Sequence, residues 1–272
     1  GLSLFNFRLT SYADEPSYLV PFLIDFLVIG FVMFQSKIKY GLFVFLPTII
    51  VIVLSYSVSG YVNLLALIFI GIVLIIFSNI KNKRYIFYII ISLFVLCGIF
   101  YLLNPVYVRE FLEPITGRFS TIFDFQNHRR MYMYVMPFIW LFDHSIITSI
   151  FGYGPGAYEF LHSSKMLPYS TPVSTTSNNM FVDIIFEHGI FGVLILIIGL
   201  GIWIFKLFKW RSINNYYMFS FYLLAHLIVT SLYRGDFVTP RFWGICLIIF
   251  MFLELGRRKK ERNDQQEEQK NV

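Results

Sequence analysis

The chemistry-bearing residues of this chain are arginines. Arg8, Arg109, Arg118, Arg129, Arg130, Arg234 and Arg241 share one side of the topology derived below with a single lysine, Lys165; the other side holds nine Lys and five Arg. A planar guanidinium grips phosphate or carboxylate through two parallel hydrogen bonds, which a point-like ammonium cannot do. An almost pure arginine set is therefore suited to holding an anion. Any one of these residues is adequately explained by snorkelling to headgroups or pairing with Glu110, Glu113 or Asp124; for the set, anion binding is the better account. Arg129 and Arg130 stand together in "FDFQNHRRMYMYV", against a Met and Tyr run that would hold them at headgroup depth.

Three further stretches carry polar groups in informative order. "FGYGPGAYEF" puts Gly152 and Gly154 in a turn whose backbone N–H groups could form a phosphate nest or simply a tight turn. No Gly-Lys-Ser/Thr follows, so it is not a P-loop. "STTSNNMFVDIIFEHGIFG" offers Ser177 or Asn178 as a helix cap, then Asp183 and Glu187 four apart on one helical face. "RLTSYADEPSYL" gathers Arg8, Asp14 and Glu15 ahead of Pro16, a residue suited to the first turn of a helix. His226 and Asp25 lie inside apolar segments, where an ionisable group is a functional candidate. His188 reads as an ordinary interfacial histidine. Cys97 and Cys246 sit in apolar runs and suggest neither a disulfide nor a metal site.

The elements that must position these residues follow from composition. With 57% hydrophobic, 20% aromatic and 14% charged residues and a mean hydropathy of +0.67, the chain lies outside the range of soluble domains. Long apolar runs without strand alternation give an all-α, polytopic membrane protein. About seven spans are predicted: Tyr18 to Gln35, Leu42 to Tyr56, Val62 to Phe77, Tyr85 to Leu103, Ile190 to Phe208, Tyr217 to Leu232 and Phe242 to Leu255. This divides the chain into an exterior segment 1–17, four spans in 18–103, a large exterior loop 104–189, three spans in 190–255 and a charged tail 256–272 of disordered composition. The opening at Gly1, without a signal-peptide pattern, suggests that an N-terminal part is missing.

Orientation comes from the short basic loops. Placing the tail in the cytoplasm also places Lys37, Lys39, Lys81, Lys83, Arg84, Lys206, Lys209 and Arg211 inside, as the positive-inside rule requires. Met131 to Phe142 is apolar but short and contains Pro137. Counting it as a span would invert the tail, so it is expected to be a re-entrant or interfacial helix. The net charge of +6 is thus topological and not a signal for nucleic acid.

A Gly-x-Gly turn, then "SNN", then Glu-x-Gly-x-x-Gly entering an apolar helix, all after an arginine-bearing exterior loop, resembles the O-antigen ligase and Wzy-type polysaccharide polymerase superfamily. "DEPS" is similar to a motif of the polymerase branch, and "SYSVSGY" to the Ser-rich turn that opens the shared region; the resemblance runs from about Ser55 to Phe208. It implies an inverting glycosyltransferase with no cofactor and no metal, whose donor is a glycan on undecaprenyl diphosphate at the exterior face of the bacterial plasma membrane. The chain has no Asp-x-Asp motif for a metal-bound nucleotide sugar. Family members carry essential exterior arginines. Arg118 in "TGRFS" and Arg130 match those positions, with Arg129 the alternative to its neighbour. Substrate contacts are expected from Arg8, Glu15, Asn178, Asn179, Gly152, Gly154 and Arg234.

Ligases commonly have His-Asn where this chain has Asn178-Asn179, and that His is a proposed base. An amide cannot accept the proton, so the resemblance favours the polymerase branch and leaves any base open among Glu15, Glu159, His162 and Asp183. The alternative is ligation of finished glycan to a lipid or protein acceptor. A transporter or flippase is disfavoured, since only Asp25 and His226 would supply midplane polar groups. Expected partners are membrane lipids, lipid-linked glycans, a flippase and a chain-length regulator.

Overall fold

The computed structural model describes residues 16–34, 38–55, 57–76, 129–163, 176–235, 237 and 239–271, with isolated positions at 95, 102, 106 and 113. Most of the span expected over Tyr85 to Leu103, and the site candidates Arg8, Glu15 and Arg118, lie outside the described residues. Among the described residues all regular structure is helical. The chain divides into two compact units, Gly1–Asp124 and Phe125–Val272.

The first unit holds α1 (Pro16–Phe34), α2 (Ile38–Leu54) and α3 (Val58–Ile76). Pro16 opens α1, where the missing N–H costs no helical bond. The Ser-rich turn before α3 is built from side-chain bonds: Ser55 Oγ donates to the Ile52 carbonyl at 2.7 Å, and Ser57 Oγ accepts the Gly60 N–H at 3.2 Å. Gly60 also sets how closely α3 approaches α1, because a Cβ there would stand 2.8 Å from Val20 Cγ1. Asp25 and Asn63 are buried, while Phe43, Phe69 and Leu65 face outward. Apolar side chains turned out of a bundle and polar ones turned in suit a lipid surround.

The second unit is arranged around α7 (Met180–Trp210), against which α4 (Arg129–His144), α5 (Ile146–Phe151), α6 (Ala157–Ser163) and α8 (Asn215–Ser231) pack. α9 (Pro240–Asn271) packs on α8, and Trp203 of α7 meets Phe250 of α9 edge to face at 5.1 Å. Among the described residues α7 alone is long and apolar enough to cross a bilayer, and shorter apolar stretches occupy Leu19–Gly30, Phe43–Ile52 and Gly60–Ile72.

Two elements differ from expectation. The tail predicted to be disordered is helical, since α9 continues to Asn271. Its Glu, Lys, Arg and Gln residues are strong helix formers, and Glu254 pairs with Arg257 and Arg258 while Arg257 also pairs with Glu261, all at helical spacing. The helix expected over Met131 to Phe142 is longer at both ends, starting at Arg129 and reaching His144 with Pro137 inside it.

Candidate functional site

The helix α7 is broken near its start. Gly189 has φ 66° and ψ −168°, so the short segment Met180–His188 is set off from the apolar run that follows. Each end of that segment is clamped by a different stretch of the chain.

At its N-terminal end Asn179 is the cap, one or two residues later than the sequence suggests. Its Oδ1 accepts the N–H groups of Phe181 at 3.0 Å and Val182 at 3.2 Å, and its Nδ2 donates to the Leu232 carbonyl at 2.7 Å. The Met180 N–H donates to the Arg234 carbonyl at 3.1 Å. Asn178 takes a left-handed backbone, φ 59°, which Asn tolerates better than most side chains. Ser177 braces the turn: its Oγ accepts the Asn179 N–H, and its own N–H donates to Asp183 Oδ1 at 2.7 Å. Gly235 lies against the same carboxylate, for an added Cβ would stand 3.0 Å from Asp183 Oδ2 and 2.8 Å from Thr176. Asp183 is 2% exposed and Arg234 5%.

The structure thus brings together Asn178, Asn179 and Arg234, three of the predicted substrate contacts, the last more than fifty residues further along the chain. Asn179 itself is committed to the helix cap and to the Leu232 carbonyl. Asn179→Ala is expected to cost about 1–2 kcal/mol of stability, the usual loss for such a cap, read as a lower unfolding temperature in detergent. Asn179→Asp keeps the acceptor but not the donor to Leu232 and should fall between.

At the C-terminal end the break directs two backbone carbonyls toward the glycine turn. Phe186 O accepts the Tyr153 N–H at 3.0 Å and Glu187 O accepts the Gly154 N–H at 2.9 Å. The Glu187 carboxylate accepts the Gly156 N–H at 3.0 Å, and the Gly152 N–H donates to Thr148 O at 2.7 Å. The phosphate nest considered for Gly152 and Gly154 is therefore corrected. Their N–H groups are already donated within the protein, because helix-break carbonyls and a carboxylate are fixed nearby and satisfy them without a ligand.

Aromatic packing fills the space under this clamp. Phe186 is fully buried; Tyr153 stacks on it at 4.9 Å, and Trp140 and Tyr158 meet it edge-on, each at 6.3 Å. Tyr153 Oη donates to the Trp140 carbonyl at 2.8 Å, fixing α4 to the turn. Burial, followed by the Asp183 carboxyl, holds the Tyr158 phenol well above its ordinary range. Burial and then Asp143 also raise Tyr153.

Of the residues left open as a base, Asp183 is buried with Oδ1 bracing Ser177 and Oδ2 holding no hydrogen bond, Glu159 is exposed on α6, His162 belongs to α6 and Glu15 lies outside the described residues. Arg129 and Arg130 form the first turn of α4. Sequence reasoning missed Tyr158 and the role of Glu187 as a backbone clamp. It placed Arg241 in the exterior arginine set without giving it a role; in the structure Arg241 is 4% exposed at the start of α9, with Nη1 donating to Thr230 Oγ1 at 3.1 Å.

A family model described as O-antigen ligase matches residues 43–197, more than half of the chain. The chain belongs to the O-antigen ligase family. The match starts in α2 and ends in α7 beyond the break at Gly189, so it includes α4, the glycine turn, the Asn179 cap and the Glu187 clamp. This O-antigen ligase family member is accordingly a membrane protein, a glycosyltransferase-like enzyme of surface-glycan assembly, of the ligase or polymerase type. No curated protein matches the chain, and no solved structure does.

Proposed function

We propose that this chain polymerises undecaprenyl-diphosphate-linked repeat units of a surface polysaccharide at the exterior face of the bacterial plasma membrane. The family match supports an activity of ligase or polymerase type. The observation that favours polymerase is Asn178-Asn179, an amide pair where ligases commonly carry His-Asn. In this reading the chain crosses the membrane about seven times with a cytoplasmic C-terminus, supported by the basic short loops. The glycosyl transfer needs no metal.

The reaction is a displacement at the anomeric carbon of the growing chain. A sugar hydroxyl of a second lipid-linked unit attacks that carbon from the face opposite the diphosphate, a new C–O bond forms, and the bond to the diphosphate oxygen breaks with inversion. The leaving undecaprenyl diphosphate takes the electron pair, and the proton of the attacking hydroxyl passes to a side-chain base, one of Glu15, Glu159, His162 and Asp183. Negative charge grows on it in the transition state, where preorganised cations are most effective. Arg118 and Arg130, or Arg129 in its place, are assigned that charge. Arg8, Glu15, Asn178 and Arg234 are assigned to sugar and phosphate contacts, while Gly152, Gly154 and Asn179 act by holding the exterior segments on α7. A flippase would supply the lipid-linked unit, and a chain-length regulator would act on the polymer.

Deleting the gene in its native host separates this activity from ligation. A lost polymerase leaves single repeats attached to their normal acceptor, whereas a lost ligase leaves polymer on the lipid carrier. Accumulation of lipid-linked polymer would replace the polymerase assignment with the ligase one.

A further inference from the structure

The helix α5 carries a surface that the polymerase assignment does not use. Ile146 is 80% exposed, Ile147 72%, Ile150 40% and Phe151 62%, while Phe142 at the end of α4 is 54% exposed. The polar side of α5 is less exposed: Ser145 and Thr148 form a reciprocal capping box at its start, and half-buried Ser149 donates its Oγ to the Leu141 carbonyl at 2.9 Å. α5 is thus tied to α4 by the Ser149 hydroxyl and presents its large apolar side chains outward. In water such a cluster on a six-residue helix would be a strong aggregation liability.

What covers this surface is indicated by its continuity with α7. The Phe151 ring lies 6.3 Å from that of Phe191, itself 55% exposed, just past the break at Gly189. Phe191 begins the outward apolar side of the helix suited to cross the bilayer, continued by Ile195, Ile198 and Phe205. One apolar surface therefore runs from the crossing segment onto α5 and the end of α4. Asp143 and His144, both exposed at the end of α4, supply polar groups of the kind found at headgroup level.

We infer that α5, with Phe142, is a wedge inserted into the acyl chains of the leaflet that surrounds the N-terminal end of the α7 apolar run. The wedge anchors the glycine turn, because the Gly152 N–H caps α5 on the Thr148 carbonyl while Tyr153 and Gly154 hold the α7 break. The depth of the clamped segment Met180–His188 is then set by lipid and not by the loop alone. The inference does not depend on whether the enzyme is a polymerase or a ligase.

The test uses the full chain in phosphatidylcholine vesicles, with Cys97→Ser and Cys246→Ser to remove the native thiols. An environment-sensitive fluorophore is placed at Ile147→Cys, and at Asp264→Cys in the exposed part of α9 as the aqueous comparison. Lipids bearing a nitroxide on the acyl chain are expected to quench the Ile147 probe at least about twofold and to leave Asp264 unaffected, with the reverse order for iodide in the water phase. Quenching of Ile147 by iodide to the same degree as Asp264 would overturn the wedge. So would shielding from both quenchers, which would mean that a second copy or a partner protein covers α5. Because both variants report by fluorescence, loss of catalytic activity does not affect the reading.

Discussion

Arg130→Ala is expected to yield a protein of normal abundance that makes no polymer, with Arg118→Ala doing the same. Removing one preorganised donor from a site of developing negative charge typically costs on the order of 10²- to 10³-fold in rate, enough to replace a polymer ladder on a gel by single repeats. Lysine should not restore activity, since its ammonium lacks the planar fork that binds two oxygens at once. Arg262→Ala, in the exposed continuation of α9, serves as the matched loss of one arginine and should leave polymer length unchanged. Arg129→Ala and Arg130→Ala are expected to differ from each other, the larger loss of polymer marking the residue that holds the diphosphate. Normal polymer in both the Arg118 and Arg130 variants, at normal abundance, would remove the arginines from the mechanism.

The second large effect is on folding. A Cβ at Gly189 would stand 2.2 Å from the Ile150 carbonyl oxygen, and one at Gly152 would stand 2.3 Å from that of Glu187. Both positions also have positive φ, 66° and 80°. Backbone meets backbone at these points, so relief requires separating the turn from the helix break and losing the bonds from Tyr153, Gly154 and Gly156. At about 1 kcal/mol for each bond and a further 1–2 kcal/mol for each unfavourable φ, the loss is comparable with the whole net stability of a domain. Gly189→Ala and Gly152→Ala should therefore be recovered poorly and as aggregate by size-exclusion chromatography in detergent. Gly199→Ala and Gly201→Ala, in the same helix with open space around them, should be tolerated or slightly stabilising. Equal recovery of all four would show that the turn does not bear on the break.

Much of this was legible from types and spacing. Within the described residues the apolar runs announced helices near their observed places, Pro16 marked the start of α1, and the predicted fifth span began at Ile190, one residue after the break. The glycine-bearing motifs and the Ser-rich turn resemble those of the family, and the family match bears that resemblance out. Other features failed for identifiable reasons. Asn179 and not Ser177 or Asn178 caps α7, because the cap is chosen jointly by Phe181, Val182 and the distant Leu232 carbonyl. The tail looked disordered by charge alone, yet it continues a helix already nucleated upstream and is supported by pairs between Glu254, Arg257, Arg258 and Glu261.

Residue types and their order carried the solvent and the inventory: a chain too apolar for water, helical by the length of its apolar runs, with an arginine set suited to anions. Those are properties of composition and order, and they survive without knowledge of any contact. What the glycines and the acidic pair do became visible from the packing of distant segments. Asp183 and Glu187 lie one helical turn apart and look equivalent in sequence, yet one braces the Ser177 turn and the other holds the Gly156 amide. The difference arises from the segments that reach each carboxylate, and a long-range approach of two backbones leaves no periodicity in the residues that make it.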